Sequence, residues 1–388
     1  MAALDHGEVV VIGAGVSGLS TAWRLARAGV DVVVVEKSLV GWEASGRNGG
    51  AFSSASTASK TKAAMAQRNL QAWKTLDEEL GYPTEYTRGT AIAAMDEHDL
   101  EIFKANCRLD NERGIPSEIL DVRQAREMAP LLSEDIAGMW FVHDGGHANP
   151  QRTVQAFAWA LQDLGGRVHQ NTQVTGIRVE GDRAVAVETD RGEIGADFVA
   201  CAAGPQTSHI CEMVGAWVPT APGRVEIIVT EPTPIMPMGK VSGNGLYGRQ
   251  TRRGNLAYGG GNQEWIDVGL GSPDKPNTPT IRNISKRLNQ LYPIAAELRV
   301  IRSWGGVVEQ TPDGVGVIGT LDHPVNFAVI SLSGDGFGIS PATGLTASEL
   351  ILHGESPTLF EDFSAKRFGS VPRDWRERQG WAAAPERE

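Results

Sequence analysis

Glu8-Val9-Val10-Val11-Ile12-Gly13-Ala14-Gly15-Val16-Ser17-Gly18 stands near the start of the chain, and a helix through Trp23 and Leu25 follows it. A second apolar run, Asp31-Val32-Val33-Val34-Val35, then ends in Glu36. The pattern is a strand, a tight glycine turn, a helix and a second parallel strand, which together build a dinucleotide site. Gly13 permits the sharp turn, Gly15 lets a pyrophosphate approach the backbone, and Gly18 lets helix and strand pack closely. The free N–H groups at the helix start face the phosphates. Glu36 stands at the spacing of an acid that accepts ribose hydroxyls. The motif leaves open which dinucleotide binds.

With 388 residues, two domains are the natural expectation. The net charge of −11 and the lack of a long basic run argue against nucleic acid. Cys107, Cys201 and Cys211 form no CxxC pair, so reduced thiols, no metal site and a cytoplasmic location are expected. Met1 to Gly7 carries no signal-peptide pattern, and the strand starting at Glu8 is expected to leave no room for a leader. No apolar stretch is long enough to span a bilayer.

After Glu36, Gly41-Trp42-Glu43-Ala44-Ser45-Gly46-Arg47-Asn48-Gly49-Gly50 reads as a loop, neither helix nor strand, held close to something flat or charged. Helices are expected over 61–80, 100–112 and 122–128, and short strands over 87–95 and 137–143, the latter closed by a turn at Asp144-Gly145-Gly146. Asn149-Pro150 opens a helix that runs to Leu164. A meander over 168–191 leads into Asp197-Phe198-Val199-Ala200-Cys201, a buried strand expected at the centre of the first sheet. Further strands are expected at 224–230, 300–309 and 326–332, with a hairpin over 246–261. Helices are expected over 279–298 and 341–353, and a loose charged tail after 371. The dinucleotide domain is thus discontinuous, comprising 1–85, 147–218 and 312–370, with a substrate domain from 86–146 and 219–311. A ligand gripped by all pieces would lie at their interface.

This arrangement resembles the FAD-dependent amine and amino-acid oxidoreductases related to D-amino acid oxidase, glycine oxidase and sarcosine oxidase. The likeness rests on the opening motif with Glu36, on Ala44 to Gly50, and on Gly146-His147-Ala148-Asn149-Pro150. It also rests on Trp304 through Thr311-Pro312-Asp313-Gly314 to Gly319, and on Ser333-Gly334-Asp335-Gly336-Phe337-Gly338. Tyr247 to Gly260 resembles the branch of bacterial proline, hydroxyproline and opine dehydrogenase flavoprotein subunits.

The resemblance implies an α/β fold: a Rossmann-like FAD-binding domain of glutathione-reductase type with an inserted α+β substrate domain carrying a mostly antiparallel sheet. It implies oxidation of a C–N bond of an amino acid or secondary amine by hydride transfer to flavin, with hydrolysis of the imine. The residues agree that the cofactor is FAD: a long dinucleotide with a flat ring explains two further glycine-rich loops, and the helix after Ile339 would aim its N-terminus at the ring. The implied FAD contacts are Gly13, Gly15, Val16, Ser17, Gly18, Glu36, Lys37, Ser45, Arg47, Asn48, Gly49, Gly50, Val174, Ala203, Gly204, Gly334, Asp335, Gly336, Phe337, Gly338 and Ile339. Tyr247, Arg249, His147 and Asp335 are the candidate catalytic residues.

Three departures from the family matter. Gly306 stands where some relatives tether flavin through cysteine, so dissociable FAD is expected. No lysine stands at Leu256-Ala257, which favours a dehydrogenase over an oxidase. Val308 replaces an arginine that holds substrate carboxylate, leaving Arg249, Arg252, Arg253 and Arg47 as candidates. The expected partners are a small amine or amino acid and oxygen or another acceptor; homo- or hetero-oligomeric assembly stays open. The alternatives are an FAD monooxygenase, given Gly334-Asp335, and a flavin-carrying subunit of a hetero-oligomeric dehydrogenase.

Overall fold

The computed structural model describes residues 3–52, 59–260, 264–266 and 278–378. Two sheets organise them. In the first, the order is Val317–Thr320, Phe327–Ser331, Gly192–Cys201, Ala3–Ile12, Val32–Val35 and Arg167–His169, with Arg183–Thr189 and Val174–Glu180 added beside Gly192–Cys201. Val9 to Ile12 pair in parallel with Val32 to Val35 on one side and with Phe198 to Cys201 on the other. Val32–Val35 and Phe327–Ser331 are buried at every residue, as strands covered on both faces must be. The strand order reverses at Ala3–Ile12, so a crevice opens beyond its C-terminal end, where the glycine turn lies.

Helices Val16–Arg27, Pro150–Asp163 and Ser340–His353 pack on this sheet. Their closest approach is set by Gly344, where an added Cβ would lie 2.6 Å from Ser20 O. Pro150–Asp163 starts as expected, with the Asn149 side chain accepting from Arg152 N and proline in the first turn.

The second sheet runs Glu264–Trp265, Ala221–Pro232, Asn255–Gly260, Leu246–Gln250, Val241–Gly243, Thr87–Ala94, Gly138–His147 and Ala51–Phe52. Val300–Gln310 adds to Ala221–Pro232, and Ser117–Leu120 to Gly138–His147. Its described pairings are antiparallel except Val241–Gly243 with Thr87–Ala94. The sheet curls until Gly49, just before Ala51–Phe52, comes within 3.4 Å of Gly248 and Tyr247 as measured from an added Cβ.

Three local expectations are corrected. Asp144-Gly145-Gly146 is no turn: the strand Gly138–His147 runs through it, and the register with Thr87–Ala94 slips between Arg88 and Thr90. The glycines serve close packing, since a Cβ on Gly145 would lie 2.3 Å from Thr90 Cγ2 and one on Gly146 2.7 Å from Thr87 O. Within 41–50, Ala44–Arg47 closes one helical turn, because Asn48 Nδ2 donates to the carbonyls of Ala44 and Ser45. At the C-terminal end, Trp375 is buried edge-on against Trp265, anchoring a segment expected to hang loose. The rest of that tail, 379–388, and Gly261 at the end of the expected hairpin lie outside the described residues.

Candidate active site

The glycine turn opens into a cavity of about 830 Å³ at the crevice of the first sheet. Gly13 has φ +109°, and a Cβ there would strike Ala202 O at 2.4 Å. A Cβ on Gly18 would lie 2.0 Å from Gly13 O, so only glycine lets the helix start this close to the strand. Val16 N donates to Ser45 Oγ at 3.0 Å, tying the 41–50 segment to the helix start. Glu36 lines the cavity, accepting from Ala14 N at 2.9 Å and Ser38 N at 2.8 Å; burial raises its pKa above the ordinary value.

Distant parts of the chain close the cavity. A Cβ on Gly336 would lie 3.4 Å from Ser17 Oγ, joining the last loop to the first. Gly204 has φ +53°, and a Cβ on it would meet only Glu309 Oε2, at 3.7 Å. Glu309 Oε1 accepts from Leu332 N at 3.1 Å, and burial raises its pKa. The loop 334–338 is pinned from behind: Asn69 Nδ2 and Trp73 Nε1 both donate to Gly338 O, at 2.8 and 2.9 Å. Phe52 stacks on Trp73 at 4.7 Å between centroids, and Tyr86 and Phe337 join that aromatic group.

Of the residues expected to contact the cofactor, Gly13, Gly15, Val16, Ser17, Glu36, Lys37, Ser45, Asn48, Val174, Ala203, Gly204, Gly334, Gly336 and Phe337 line this cavity. Gly18, Arg47, Gly49, Gly50, Asp335, Gly338 and Ile339 do not. Arg47 turns aside, donating to Trp42 O and Gly305 O, while Trp304 Nε1 donates to Arg47 O. Asp335 points away into a half-exposed ion pair with Lys62 at 2.6 Å.

The other expected catalytic residues gather on the curled sheet. Arg249 Nη1 donates to Gly49 O at 2.5 Å, and the Tyr247 ring lies against Gly49 and Gly259. Burial pushes the Tyr247 hydroxyl up to about 12 and pulls Arg249 down to about 10. His147 is buried, its Nδ1 without a hydrogen-bond partner, and burial with the charges of Arg249, Lys240 and Arg252 lowers it to about 3. It is therefore a neutral imidazole at ordinary pH. His143, on the same strand as His147, pairs at the surface with Glu118, and Arg252 and Arg253 lie exposed in their turn.

Residues 8–350 match the family described as DAO, FAD dependent oxidoreductase. The chain belongs to that family. Sarcosine oxidase subunit beta of Rhodobacter capsulatus is 26% identical over 371 residues, which cover 93% of this chain and 88% of the relative. Glycine oxidase of Geobacillus kaustophilus is 25% identical, covering 93% and 97%. Among solved structures, L-proline dehydrogenase from P. horikoshii superposes with a TM-score of 0.86 at 26% identity, covering 94% of this chain and 98% of that one.

As a member of the FAD-dependent oxidoreductases, the chain uses FAD, and its cavity fits the group. Glycine backbone lines the places where a flat or charged ligand must come close, and Gly204 leaves room that a side chain would fill. Glu43, also on the wall, keeps Oε2 buried without a protein partner. Among the described residues no group of three or more metal-ligating side chains occurs, and no helix is long and apolar enough to cross a membrane.

Sequence reasoning missed Lys240. It is 2% exposed and bonds Ser242 Oγ on the strand beside Arg249. In sequence it sits between Gly239 and Val241 in a stretch with no motif, and only the pairing of strands reveals its place.

Proposed function

We propose that this chain oxidises the C–N bond of an amino acid or secondary amine, with Arg249 receiving the substrate's carboxylate beside the flavin loop. The observation that carries the reading is Arg249 itself: a largely buried guanidinium bound to the carbonyl of Gly49, on the segment that resembles the family's flavin loop. The relatives named for sarcosine, glycine and proline support the substrate class.

Bound FAD supplies the two-electron acceptor. Every other part falls to the chain. The N–H groups at the start of Val16–Arg27 face the pyrophosphate, and Glu36 accepts ribose hydroxyls. The aromatic group of Phe52, Trp73 and Tyr86 packs behind Phe337 on the cavity wall and excludes water there. Tyr247 stays protonated, its hydroxyl available as a donor to substrate; neutral His147 offers Nδ1. The cations around His147 disfavour an ammonium beside them, which helps the substrate amine lose its proton before oxidation. The segments 1–85, 147–218 and 312–370 serve as the FAD domain, and 86–146 with 219–311 as the substrate domain.

Anaerobic bleaching of the flavin by a panel of amino acids, N-methyl amino acids, opines and cyclic imino acids tests the reading; a panel that leaves the flavin oxidised overturns it. FAD is held without a covalent bond, since Gly306 stands at the tether position and the three cysteines lie buried elsewhere; acid precipitation releases it. Their reduced state suits the cytoplasm. With Ala257 where a lysine would assist oxygen, turnover is faster with an artificial dye than with oxygen. A second reading is favoured by the relatives named as β subunits: the chain works as the flavin subunit of a hetero-oligomer. Co-purified small subunits, with no activity from the chain alone, would support it.

A further inference from the structure

A lysine and an arginine oppose each other on the curled sheet with no acid between them. Gly243 pairs with Leu246, and Gln250 N donates to Gly239 O at 2.6 Å, so the antiparallel register sets Lys240 opposite Arg249 and Ser242 opposite Tyr247. Side chains so placed share a face, with Cβ atoms about 4.5–5.5 Å apart, and like charges there repel. Lys240 bonds Ser242 Oγ, and Arg249 bonds Gly49 O; among the described residues neither pairs with a carboxylate. On the strand beyond Lys240, Ala91 N donates to Lys240 O, which brings Thr90 alongside with its buried Oγ1 unpartnered. His147 is the other basic group that feels both members of the pair, and the exposed Arg252 also acts on it. The acids that act on Arg249 are Glu85, whose carboxylate is already held by Asn149 at 2.9 Å and Arg152 at 2.8 Å, and Tyr258, whose hydroxyl is kept protonated by burial and donates to Val241 O at 2.7 Å. Two buried cations side by side, with the nearby Glu85 carboxylate already held by Asn149 and Arg152, make a site that is completed by an anion.

We propose that Lys240 and Arg249 together form an anion subsite that receives the substrate's carboxylate, and that Lys240 gains a proton from solvent as the subsite fills. This deepens the amine-oxidising reading and rests on it for the identity of the ligand. Without an anion, burial and then the charge of Arg249 hold Lys240 down to about 7, so part of the population is neutral near neutrality. A carboxylate set between the two cations favours the charged ammonium. Binding is therefore tightest below about pH 7 and weakens as pH rises, because each binding event must then recruit a proton. The subsite selects amino acids over simple amines, which bring no charge to offset the opposed cations.

The test uses the FAD-loaded full chain with propionate as probe and propionamide as its uncharged match. Binding is followed by the flavin difference spectrum and by calorimetry in two buffers of different protonation enthalpy. Propionate is expected to bind and propionamide not, with proton uptake above about pH 7 and affinity falling by up to roughly tenfold per pH unit. Lys240→Arg keeps the charge and is expected to keep propionate binding while losing the uptake. Lys240→Met, with the flavin spectrum unchanged, is expected to weaken propionate roughly tenfold or more and to lose the uptake. Equal binding of propionamide, binding without proton uptake in the unaltered chain, or Lys240→Met binding as the unaltered chain does would each overturn the proposal. Amines that bleach the flavin while propionate fails to bind sink the subsite and leave the amine chemistry standing. Propionate binding with uptake, and no amine or amino acid that bleaches, sinks the chemistry and leaves the subsite.

Discussion

The cavity and the curled sheet are built by opposite means. The cavity is mainly backbone: glycines at positive φ, N–H groups at a helix start, and acids such as Glu36 and Glu309 whose pKa values burial raises. The sheet face is side chain: Arg249, Lys240 and His147, all bases whose pKa values burial lowers. A cofactor common to a whole family can be held by main chain, which any sequence supplies once its glycines are in place. A particular substrate needs side chains from several strands, and these can change without disturbing the cavity. The contrast predicts that the two regions fail separately when altered.

The largest effect is expected at Gly18→Ala, where the new Cβ would lie 2.0 Å from Gly13 O. Backbone must shift, at a cost on the order of 3 kcal/mol or more. FAD absorbance per chain should collapse, together with the urea midpoint. Retention of full flavin would break the view that this turn is built to a single shape. Next comes Arg249→Met. Its KM for the best amino acid should rise about tenfold to a hundredfold with flavin content unchanged, as expected when one partner of a buried charge contact is removed. Loss of flavin instead would show that the two regions are one.

The neutral histidine gives a smaller, pH-dependent effect. His147 lies near 3 in the folded chain against an ordinary 6.5, so the unfolded chain binds more protons between those values. The sign follows: its contribution is fully present above about 6.5 and is lost as pH falls towards 3. His147→Gln should flatten the fall of the urea midpoint between about pH 6.5 and 4.5. An unchanged profile would mean that the imidazole reaches solvent. Asp335→Asn should change least. Its carboxylate is 60% exposed and pairs with Lys62 at the surface, worth below about 1 kcal/mol, so turnover should stay within about twofold.

The same contrast explains what was legible in the sequence. Gly13, Gly15 and Gly18 announce themselves because the turn, the close approach and the helix contact each demand glycine within six residues of one another. The buried strands at 32–35 and 327–331 read as apolar runs, the second broken only by Ser331 at its end. Glycine misled where it served packing instead of turning, as at Gly145 beneath Thr90. Asp335 drew attention through its motif, yet its side chain faces Lys62 from across 273 positions, a contact no local pattern encodes. Lys240 was invisible for a related reason. Its meaning comes from standing opposite Arg249, and that depends on the register of two strands and not on either strand alone.

The first sheet has a temporal consequence. The strand that carries the glycine turn ends at Ile12, yet its neighbour Gly192–Cys201 and the next strand, Phe327–Ser331, are made far later. Parallel strands so distant in sequence are slow to meet. During synthesis, Ala3–Ile12 and Val32–Val35 must wait with apolar edges unpaired, open to self-association. FAD loading is thus a late event, possible only once Phe337, on the far wall of the cavity, has been made and folded against Gly13 and Ser17.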